Sequence, residues 1–557
     1  MRKILSKIFI LVLAFLILGI GIKSKAATGY SYDHNKKLIY SAEGLIYDHS
    51  FDGNSLGVGY ANLTSPEDFF IFSHPKTDEI KMYLTDSKAN SIYVLDEKFG
   101  YLTTYTSFHL DPADFTDDQL AHISSAGEKI VNETTTVADI RAMGDVEIQL
   151  KNPKATYRSV ITKFADDSLD NRDYIYVCDY DNYQVLCIDA QTLKIKLVIT
   201  DPNEYENVLV FEAKTFQPQK VVTDNAGRIY IIANGVYEGI LQFDADGTYK
   251  RFTGVNNVKL TAWDIFWLSI STEAQYESRK SYINTTFTSM AVDVTGTFIY
   301  STAAPIKNSD GSINSTTMIK KLNPAGKDVL RRNGYAPPQG DLTFVASTAN
   351  GSKIAVGPST FNAIAVNEYG MYTVVDQLRC RLFTYDNEGN LLYISGESGK
   401  YTNVLSGPVA IQYYEGNLIV LDKNTKELKV FVSTEIGGYI NKAVEAEYRG
   451  DIDSAAEYWK QVIKFNANYE YAYVGVGKMY LKEKEYKTAM EYFKNGSSKL
   501  QYSEAYKLYR NGLIKRYAPT VLYVILGLAV VGVVIKVIRR KKGKGKPKQE
   551  LDVGDND

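Results

Sequence analysis

The sequence predicts a mainly β protein: a six-bladed β-propeller, then a small α-helical array and one transmembrane helix. Three observations predict this order. A strand-turn-strand phrase with Asp or Asn in its turn recurs between residues 80 and 422, as expected of a radial array. The hydrophobic period becomes helical after Gly437 and Gly438. A late apolar run is long enough to cross roughly 30 Å of hydrocarbon.

The first segment, residues 1–26, has the pattern of a secretory signal peptide. A basic start with Arg2 and Lys3 precedes an apolar run over residues 8–22. Small residues end the segment, which predicts cleavage after Ala26. An uncleaved anchor helix is the alternative.

The late apolar run covers residues 518–538, and its one charge, Lys536, lies near its end. A basic segment follows within residues 539–557, and such segments stay in the cytoplasm. With an exported N-terminus, this predicts a single-pass protein of the cell membrane. Its bulk would be extracytoplasmic and extracellular. Residues 539–557 would form a basic cytoplasmic tail, whose charge determines the membrane topology. Specific lipid binding by this tail is the alternative.

Each blade is predicted to hold four strands, and the region after Pro218 shows all of them, separated by turns with Asn, Asp or Gly. The same pattern occurs six times, over residues 67–106, 158–200, 218–252, 288–332, 361–395 and 409–432. The last unit is one strand short. We expect residues 38–47 to supply that strand, because closing the ring leaves no unpaired edge.

These units resemble NHL repeats, a family of six-bladed propellers. The resemblance rests on an apolar pair before the Asp, an Asp- or Asn-bearing turn, and an apolar-x-apolar-x-Asp strand after it. Prolines ahead of first strands also fit, at Pro66, Pro218 and Pro408. The propeller domain, residues 27–435, would carry two insertions, near 107–153 and 261–282.

The repeated acids of the phrase invite interpretation as a metal-binding ring. They are Asp86, Asp179, Asp376 and Asp422. We prefer a turn-forming role, because Asp hydrogen-bonds its own turn backbone. The resemblance implies that an enzyme of this kind would use channel histidines, and all five histidines fall between His34 and His122. We therefore assign no catalytic residue, metal ligand or cofactor, although a Ca²⁺ site of carboxylates stays open.

The insertions are the predicted binding loops, since lengthened loops on a rigid scaffold are frequent sites of binding. Residues 261–282 carry three aromatic candidates for ligand contact, Trp263, Phe266 and Trp267. A structural lid with its aromatics packed inward is the alternative. Residues 107–153 are expected to be partly helical around 117–143.

Residues 436–515 resemble tetratricopeptide (TPR) repeats. The pairs Ala455 and Ala489, and Trp459 and Phe493, are each spaced by about 34 residues, the period of that repeat. We expect Trp459, together with Tyr473 and Tyr480, to line a protein-binding groove. A stalk that holds the propeller away from the bilayer is the alternative, and residues 503–515 would be the last helix.

Composition narrows the function. A net charge of −2 gives no indication of nucleic-acid binding. Three cysteines make a disulfide framework unnecessary, and Cys178 and Cys187 flank one turn as either a disulfide or two small buried side chains.

The leading hypothesis is a non-catalytic, membrane-anchored binding or scaffold protein. A protein partner is expected, with a membrane complex as one option, and a small molecule or glycan is a second class of ligand. The 43 tyrosines suit sugar or peptide contacts, although most lie at regular packing positions. A Ca²⁺-dependent lactonase-like or lyase-like enzyme and a purely structural envelope protein are the alternatives.

Overall fold

The computed structural model describes residues 29–543, apart from 123, 126–127, 130–135, 162–171, 205–209, 212, 214, 256–284, 308–312, 315–316, 343–356, 400 and 402. The predicted signal peptide, the aromatic part of the second insertion and the end of the basic tail lie outside the described residues. The chain divides into two compact units, Met1–Arg449 and Gly450–Asp557, here called the propeller unit and the helical unit.

The propeller unit contains six antiparallel blades, which confirms the predicted fold class. From the inner to the outer strand, blade 1 is Pro66–Ser73, Ile80–Asp86, Ser91–Leu95 and Tyr101–Tyr105, and blade 2 is Pro153–Ile161, Arg172–Asp179, Gln184–Asp189 and Lys194–Ile199. In the same order, blade 3 is Gln217–Thr223, Ile229–Asn234, Ile240–Phe243 and Tyr249–Thr253, and blade 4 is Phe287–Val292, Ile299–Ala303 and Ile319–Leu322. Blade 5 is Phe361–Val366, Tyr372–Asp376, Arg381–Tyr385 and Leu391–Ser395, and blade 6 is Pro408–Tyr414, Asn417–Asp422, Glu427–Ser433 and Leu45–Phe51.

The middle strands are buried on both faces, because each blade packs between two neighbours. Every residue of Ser91–Leu95, Ile299–Ala303 and Tyr372–Asp376 is buried. These strands therefore show no alternation of buried and exposed residues, and their polar members, such as Ser301, Thr302 and Thr373, are buried too. Apolar clusters fill the spaces between adjacent blades and form the core.

Each inner strand begins with a β-bulge at the same position. The register shifts lie between Pro66 and Asp68, Pro153 and Ala155, Pro218 and Lys220, Phe287 and Ser289, Phe361 and Ala363, and Pro408 and Ala410. Proline occupies this site in four blades, since it has no N–H for a regular ladder and is tolerated at bulges. The prolines that mark first strands in the sequence thus mark bulges in the structure.

A buried aspartate ends the second strand of four blades. Asp86 accepts hydrogen bonds from the backbone N–H groups of Thr64 (2.6 Å) and Ser65 (2.9 Å), which lead into the first strand. It also accepts from Lys88 (3.1 Å) and Ala89 (3.0 Å) in its own turn. The carboxylate therefore joins the entry of the blade to the turn between its second and third strands.

The same arrangement recurs in blades 2, 5 and 6. Asp179 accepts from the N–H of Lys151, Asp376 from Thr360, and Asp422 from Ser406 and Gly407. We call these four residues the aspartate clamps. The predicted role of holding the turn backbone is confirmed for Asp86, Asp376 and Asp422, whereas Asp179 accepts from the side chain of Asn182 in its turn. Burial raises the pKa of Asp179 to about 6, although hydrogen bonds from Lys151, Gln184 and Asn182 oppose that rise.

The ring is closed by Leu45–Phe51, which pairs with Glu427–Ser433 as the outer strand of blade 6. Closure by the N-terminal segment is confirmed, but the predicted bounds, residues 38–47, are wrong. Leu38–Tyr40 instead pairs with Tyr30–Tyr32 in a separate hairpin.

That hairpin is fixed by contacts distant in sequence. The hydroxyl of Tyr30 donates to Asp341 (3.2 Å), and the hydroxyl of Tyr32 donates to the same carboxylate. Arg379 lies 3.0 Å from Asp341, so the carboxylate is shared. Because Asp341 is 311 residues from Tyr30 and 309 from Tyr32 in sequence, local periodicity gives no sign of the hairpin.

Blade 4 departs from the predicted pattern, because its fourth strand is reduced to one bridge between Leu322 and Asp328. Side chains hydrogen-bond two backbone groups of the third strand, Ile319–Leu322. Asp328 accepts from the N–H of Lys321 (3.1 Å), and Arg332 donates to the carbonyl of Ile319 (3.0 Å).

The first insertion is partly helical, as predicted, with helices α1 (Asp117–His122) and α2 (Val137–Met143). It also adds Ser107–Leu110 and Val146–Gln149 to the outer edge of blade 2, making that sheet six-stranded. A short hairpin, Ser124–Ser125 with Glu128–Lys129, lies between the helices in sequence, and blade 4 carries another, Ile306–Lys307 with Ile313–Asn314.

Cys178 and Cys187 do not face each other across their hairpin. Cys178 lies opposite Val185, and Cys187 lies opposite Tyr176. Both thiols are free and buried, so the interpretation as two small buried side chains is confirmed and the disulfide is wrong.

Helix α3 (Glu435–Tyr448) follows blade 6 and belongs to the propeller unit. The helical unit contains α4 (Ile452–Phe465), α5 (Glu470–Lys482), α6 (Tyr486–Asn495) and α7 (Lys499–Gly543). The last helix and the apolar run, predicted as separate elements, form the single helix α7. Among the described residues, α7 is the one helix long and apolar enough to cross a membrane.

We expect Asp86→Ala to lower the free energy of unfolding of the propeller unit by about 3 kcal/mol or more. The reason is that several backbone N–H groups would lose their buried acceptor, at roughly 1–3 kcal/mol each. Asp96→Ala is the control, because this partly exposed turn residue caps only Lys98 and Gly100. Thermal unfolding of the full chain in detergent checks this, and equal losses in both variants would contradict the clamp.

Candidate functional site

The inner strands of all six blades surround one cavity of about 1140 Å³. At one end its lining reaches the turns that follow the inner strands, where Val294 is 63% exposed and Glu415 is also exposed. At the other end it is lined by the buried residues Ser289, Ala363 and Ala410. We call the first end the mouth and the second end the floor.

Helix α3 lies at the mouth, where Asn441, Lys442 and Glu445 contribute to the lining. Asn441 holds the helix in place, accepting from the hydroxyl of Tyr393 (2.9 Å) and donating to the hydroxyl of Ser433 (3.0 Å). Sequence reasoning missed this helix as part of the cavity, because α3 was predicted to belong to the helical array.

The floor carries an ion pair between two blades that are not neighbours. Lys220 of blade 3 places its Nζ 2.6 Å from Oδ1 of Asp68 of blade 1. The Asp68 side chain is 5% exposed, and the Lys220 side chain is 19% exposed and lines the cavity. No described residue hydrogen-bonds Asp68 Oδ2, which is buried.

The floor is asymmetric within a repeated structure. Asp68 and Lys220 each come directly after the bulge of their inner strand. The other four blades place small residues there: Ala155, Ser289, Ala363 and Ala410. Aligning the blades on the inner-strand prolines would have placed Asp68 and Lys220 at the same position, two residues after Pro66 and Pro218, but would not have shown that the two side chains meet.

A second charged group lies next to the floor, on the bulge residue Glu67. Its carboxylate accepts from Lys423 (2.7 Å), Lys154 (3.1 Å) and Ser87 (3.1 Å), which joins blades 1, 2 and 6. Burial favours a higher pKa for Glu67, but the two lysines outweigh it and hold that pKa below its ordinary value.

The wall above the floor is aromatic on the side of blades 1 and 2. Phe70 and Tyr157 line the cavity with their ring centroids 4.6 Å apart. Arg158 also lines it, but the guanidinium is held by Asp173 (2.6 Å) and Glu79 (3.3 Å). This arginine is therefore neutralised and offers the cavity little free charge.

Two of the acids at the mouth are engaged in local structure. Asp224 pairs with Arg228 at 2.6 Å, and Asp293 accepts from the N–H groups of Thr297 (3.0 Å) and Phe298 (2.9 Å). Within the described part of the chain, no three His, Cys, Asp or Glu side chains converge to hold a metal ion.

Of the six predicted binding residues, Trp263, Phe266 and Trp267 lie outside the described residues. Trp459 is fully buried in the helical unit, where its ring packs on Tyr471 with centroids 5.4 Å apart.

Tyr473 and Tyr480 are half-buried and lie on either side of Tyr492, with centroid distances of 6.4 and 5.1 Å. We call these three residues the tyrosine patch. The structure thus brings two of the predicted residues together, and Tyr492 was missed.

No family model matches the sequence, and no curated protein matches it. Similar solved structures include a streptogramin B lyase, at 10% identity over 71% of this chain and 100% of that one, with TM-score 0.35. Another is the extracellular domain of a putative one component system of B. thetaiotaomicron, at 10% identity over 73% of this chain and 39% of that one, with TM-score 0.32. A third is an auxiliary nutrient binding protein of Bacteroides thetaiotaomicron, at 9% identity over 66% of this chain and 69% of that one, with TM-score 0.31. Such distant likeness carries no argument about function.

We expect Glu67→Gln to destabilise the propeller unit by about 1–2 kcal/mol at neutral pH, since charged hydrogen bonds from two lysines are weakened. Because the folded-state pKa of Glu67 is lowered, its contribution is present above the ordinary pKa and is lost as pH falls through the folded value. The variant should therefore lose part of the wild-type dependence of melting temperature on acid pH. Glu97→Gln, at an exposed turn, is the control, and superimposable profiles for all three proteins would refute the role.

Proposed function

We propose that this protein is a membrane-anchored extracytoplasmic binding protein, whose propeller holds a ligand in the central cavity and whose helical unit docks a protein partner. The cavity carries this proposal. Its volume of about 1140 Å³ exceeds the range of about 300–1,000 Å³ typical of small-ligand pockets. A short glycan or peptide would fit such a volume, and the ring of closed blades supplies a rigid wall.

The character of the lining supports binding rather than catalysis. The cavity combines aromatic side chains such as Phe70 and Tyr157 with amides such as Gln412 and Asn441. Two of the acids at the mouth, Asp224 and Asp293, hold turns. Aromatic faces with polar neighbours suit a sugar or a peptide.

The helical unit supports the second half of the proposal. Close helix contacts occur at Gly475, where a Cβ would lie 2.0 Å from the Trp459 ring, and at Gly477, where it would lie 2.6 Å from the Phe493 ring. Small residues at such contacts support a TPR-like array. The spacing of about 34 residues, from Ala455 to Ala489 and from Trp459 to Phe493, supports it as well. We propose the tyrosine patch as part of its partner surface.

The anchor is helix α7, and we propose that its apolar half crosses the membrane. The exposed residues 518–538 provide the span, and Arg539 and Arg540 begin the basic flank. By the positive-inside rule this flank is cytoplasmic, which places the propeller outside.

The alternative is a Ca²⁺-dependent lactonase-like or lyase-like enzyme, supported by the family resemblance and by carboxylates near the cavity. It predicts that hydrolysis or elimination depends on added Ca²⁺ and on an open cavity. The binding proposal predicts ligand capture without turnover.

Cysteine labelling checks the orientation. The native thiols Cys178, Cys187 and Cys380 are buried, so an impermeant maleimide should give little background. We expect Tyr40→Cys, at a residue 86% exposed, to react in intact cells, and Gly545→Cys to react only after permeabilisation. The reverse pattern would contradict the proposed topology.

Cavity occupancy is tested by screening glycans, peptides and lactones against the full chain in detergent. We expect binding without turnover, and we expect Ser159→Trp to abolish it, because Ser159 lines the cavity and an indole would fill it. Thr103→Trp, on the exposed outer strand of blade 1, is the control. Turnover in Ca²⁺ that Ser159→Trp abolishes would favour the enzyme, and binding unaffected by either variant would refute the cavity as the site.

A further inference from the structure

The wall of the cavity, between the floor and the mouth, offers little free charge. Its charged lining residue is Arg158, whose guanidinium is held by Asp173 and Glu79. At the floor, Lys220 is paired with Asp68. The wall therefore suits an uncharged ligand, because a charge removed from water without a partner is costly.

The tyrosine hydroxyls of this wall are used within the wall itself. Tyr157 donates to the carbonyl of Thr223 (3.4 Å), and the hydroxyl of Tyr413 lies 2.6 Å from Oγ1 of Thr373. Both tyrosines line the cavity. They therefore contribute apolar ring surface to it and no free hydroxyl.

Two polar side chains of the wall remain available for a ligand, Ser159 and Gln412. Both line the cavity and are partly exposed, and neither side chain hydrogen-bonds a described residue. The hydroxyl of Thr223 also has no described partner, but that atom is buried. A primary amide carries two donor hydrogens and an acceptor oxygen, so Gln412 can donate and accept at the same time.

At the level of Gln412 the wall has a side of large residues and a side of small ones. In blades 6, 1 and 2, the position two residues beyond the one that follows the bulge is held by Gln412, Phe70 and Tyr157. In blades 3, 4 and 5 the same position is held by smaller residues: Val222, Ala291 and Ala365. The amide and the two rings therefore lie together on one side, and the small residues leave open volume opposite them.

These features are complementary to a short peptide with apolar side chains. Such side chains would pack on Phe70 and Tyr157, whose rings are in contact, and on aliphatic lining residues such as Ile71 and Val292. A peptide group has one donor and one acceptor, and the Gln412 amide can meet both. A glycan of the same size carries many hydroxyls, and most of them would lie against apolar wall without a partner, which is costly.

We propose that the cavity binds a short, uncharged peptide segment with apolar side chains, in which Gln412 hydrogen-bonds one backbone amide and Phe70 and Tyr157 pack against a side chain. This inference rests on the proposed binding function and specifies the ligand class of the same cavity, a peptide and not a glycan.

Three matched probes test the ligand class on the unaltered full chain in lipid nanodiscs, by calorimetry, with empty nanodiscs as the blank. N-acetyl-Leu-Phe-Leu amide is apolar and uncharged, N-acetyl-Ser-Asn-Ser amide has the same backbone with polar side chains, and maltotriose is an uncharged glycan of three units. We expect the apolar tripeptide to bind at least about tenfold more tightly than either of the others, because it alone buries apolar side chains on the wall. Equal affinities, tighter binding of maltotriose, or no binding of the apolar tripeptide would overturn the proposal.

The role of Gln412 is tested with Gln412→Met, which keeps the size of the side chain and removes the amide. We expect binding of the apolar tripeptide to fall at least about fivefold, since the amide hydrogen bonds are lost. Gln377→Met, at an exposed turn of blade 5 outside the cavity lining, is the control and should bind as the wild type does.

A second readout separates hydrogen bonding by Gln412 from a structural effect of its loss. Each backbone amide of the tripeptide is replaced in turn by an ester, which removes one N–H donor. In the wild type, one replacement should weaken binding at least about fivefold more than the others, and in Gln412→Met this difference should disappear. The same pattern of ester effects in both proteins would overturn the assignment of Gln412.

Failure of this inference is distinguishable from failure of the proposed function. If maltotriose or another glycan binds and is lost in Ser159→Trp, the peptide class is wrong and the binding function stands. If no ligand depends on the cavity, the proposed function fails as well.

Discussion

The propeller depends on the pairing of Leu45–Phe51 with Glu427–Ser433. Without it, blade 6 would keep three strands and expose an edge, and the inner strands would lose the ring that makes them face a common cavity. The same junction starts helix α3. Thr434 donates its N–H to the carbonyl of Gly44 (2.9 Å), and its hydroxyl accepts from the N–H of Gly437 (3.0 Å). The strand pairing and the adjacent hydrogen bonds of Thr434 therefore fix both the wall of the cavity and the helix at its mouth.

The close approach at that junction explains a feature that sequence patterns treat as a boundary. A Cβ at Gly437 would lie 2.0 Å from the carbonyl oxygen of Gly44, and a Cβ at Gly44 would lie 2.1 Å from the ring of Tyr393. Glycine at residue 437 is thus needed for packing inside the first turn of α3. Read as a change of period, the same glycine marks the start of the helical array at residue 436, and this is why α3 was assigned to that array and not to the propeller unit.

Local patterns predicted the blades because short-range features recur along the chain: an apolar second strand followed by a turn, with an aspartate clamp in four of the six blades. They predicted that the N-terminus closes the ring, but not with which residues, since Leu38–Tyr40 is held by a hairpin that depends on Asp341 far along the chain. The floor was equally hidden. Asp68 and Lys220 are 152 residues apart, and neither belongs to a recognisable motif.

Two residues at the floor, Asp68 and Lys220, break the repeat of the ring without being required by the fold. A partly buried ion pair gains little stability over apolar side chains of similar size, because two charges must leave water. Ala155, Ser289, Ala363 and Ala410 show that the ring forms with small uncharged residues in this layer. Stability of the blade thus gives no reason for Asp68 and Lys220. In a repeated scaffold, the positions that break the repeat on the cavity side are where binding specificity is to be sought.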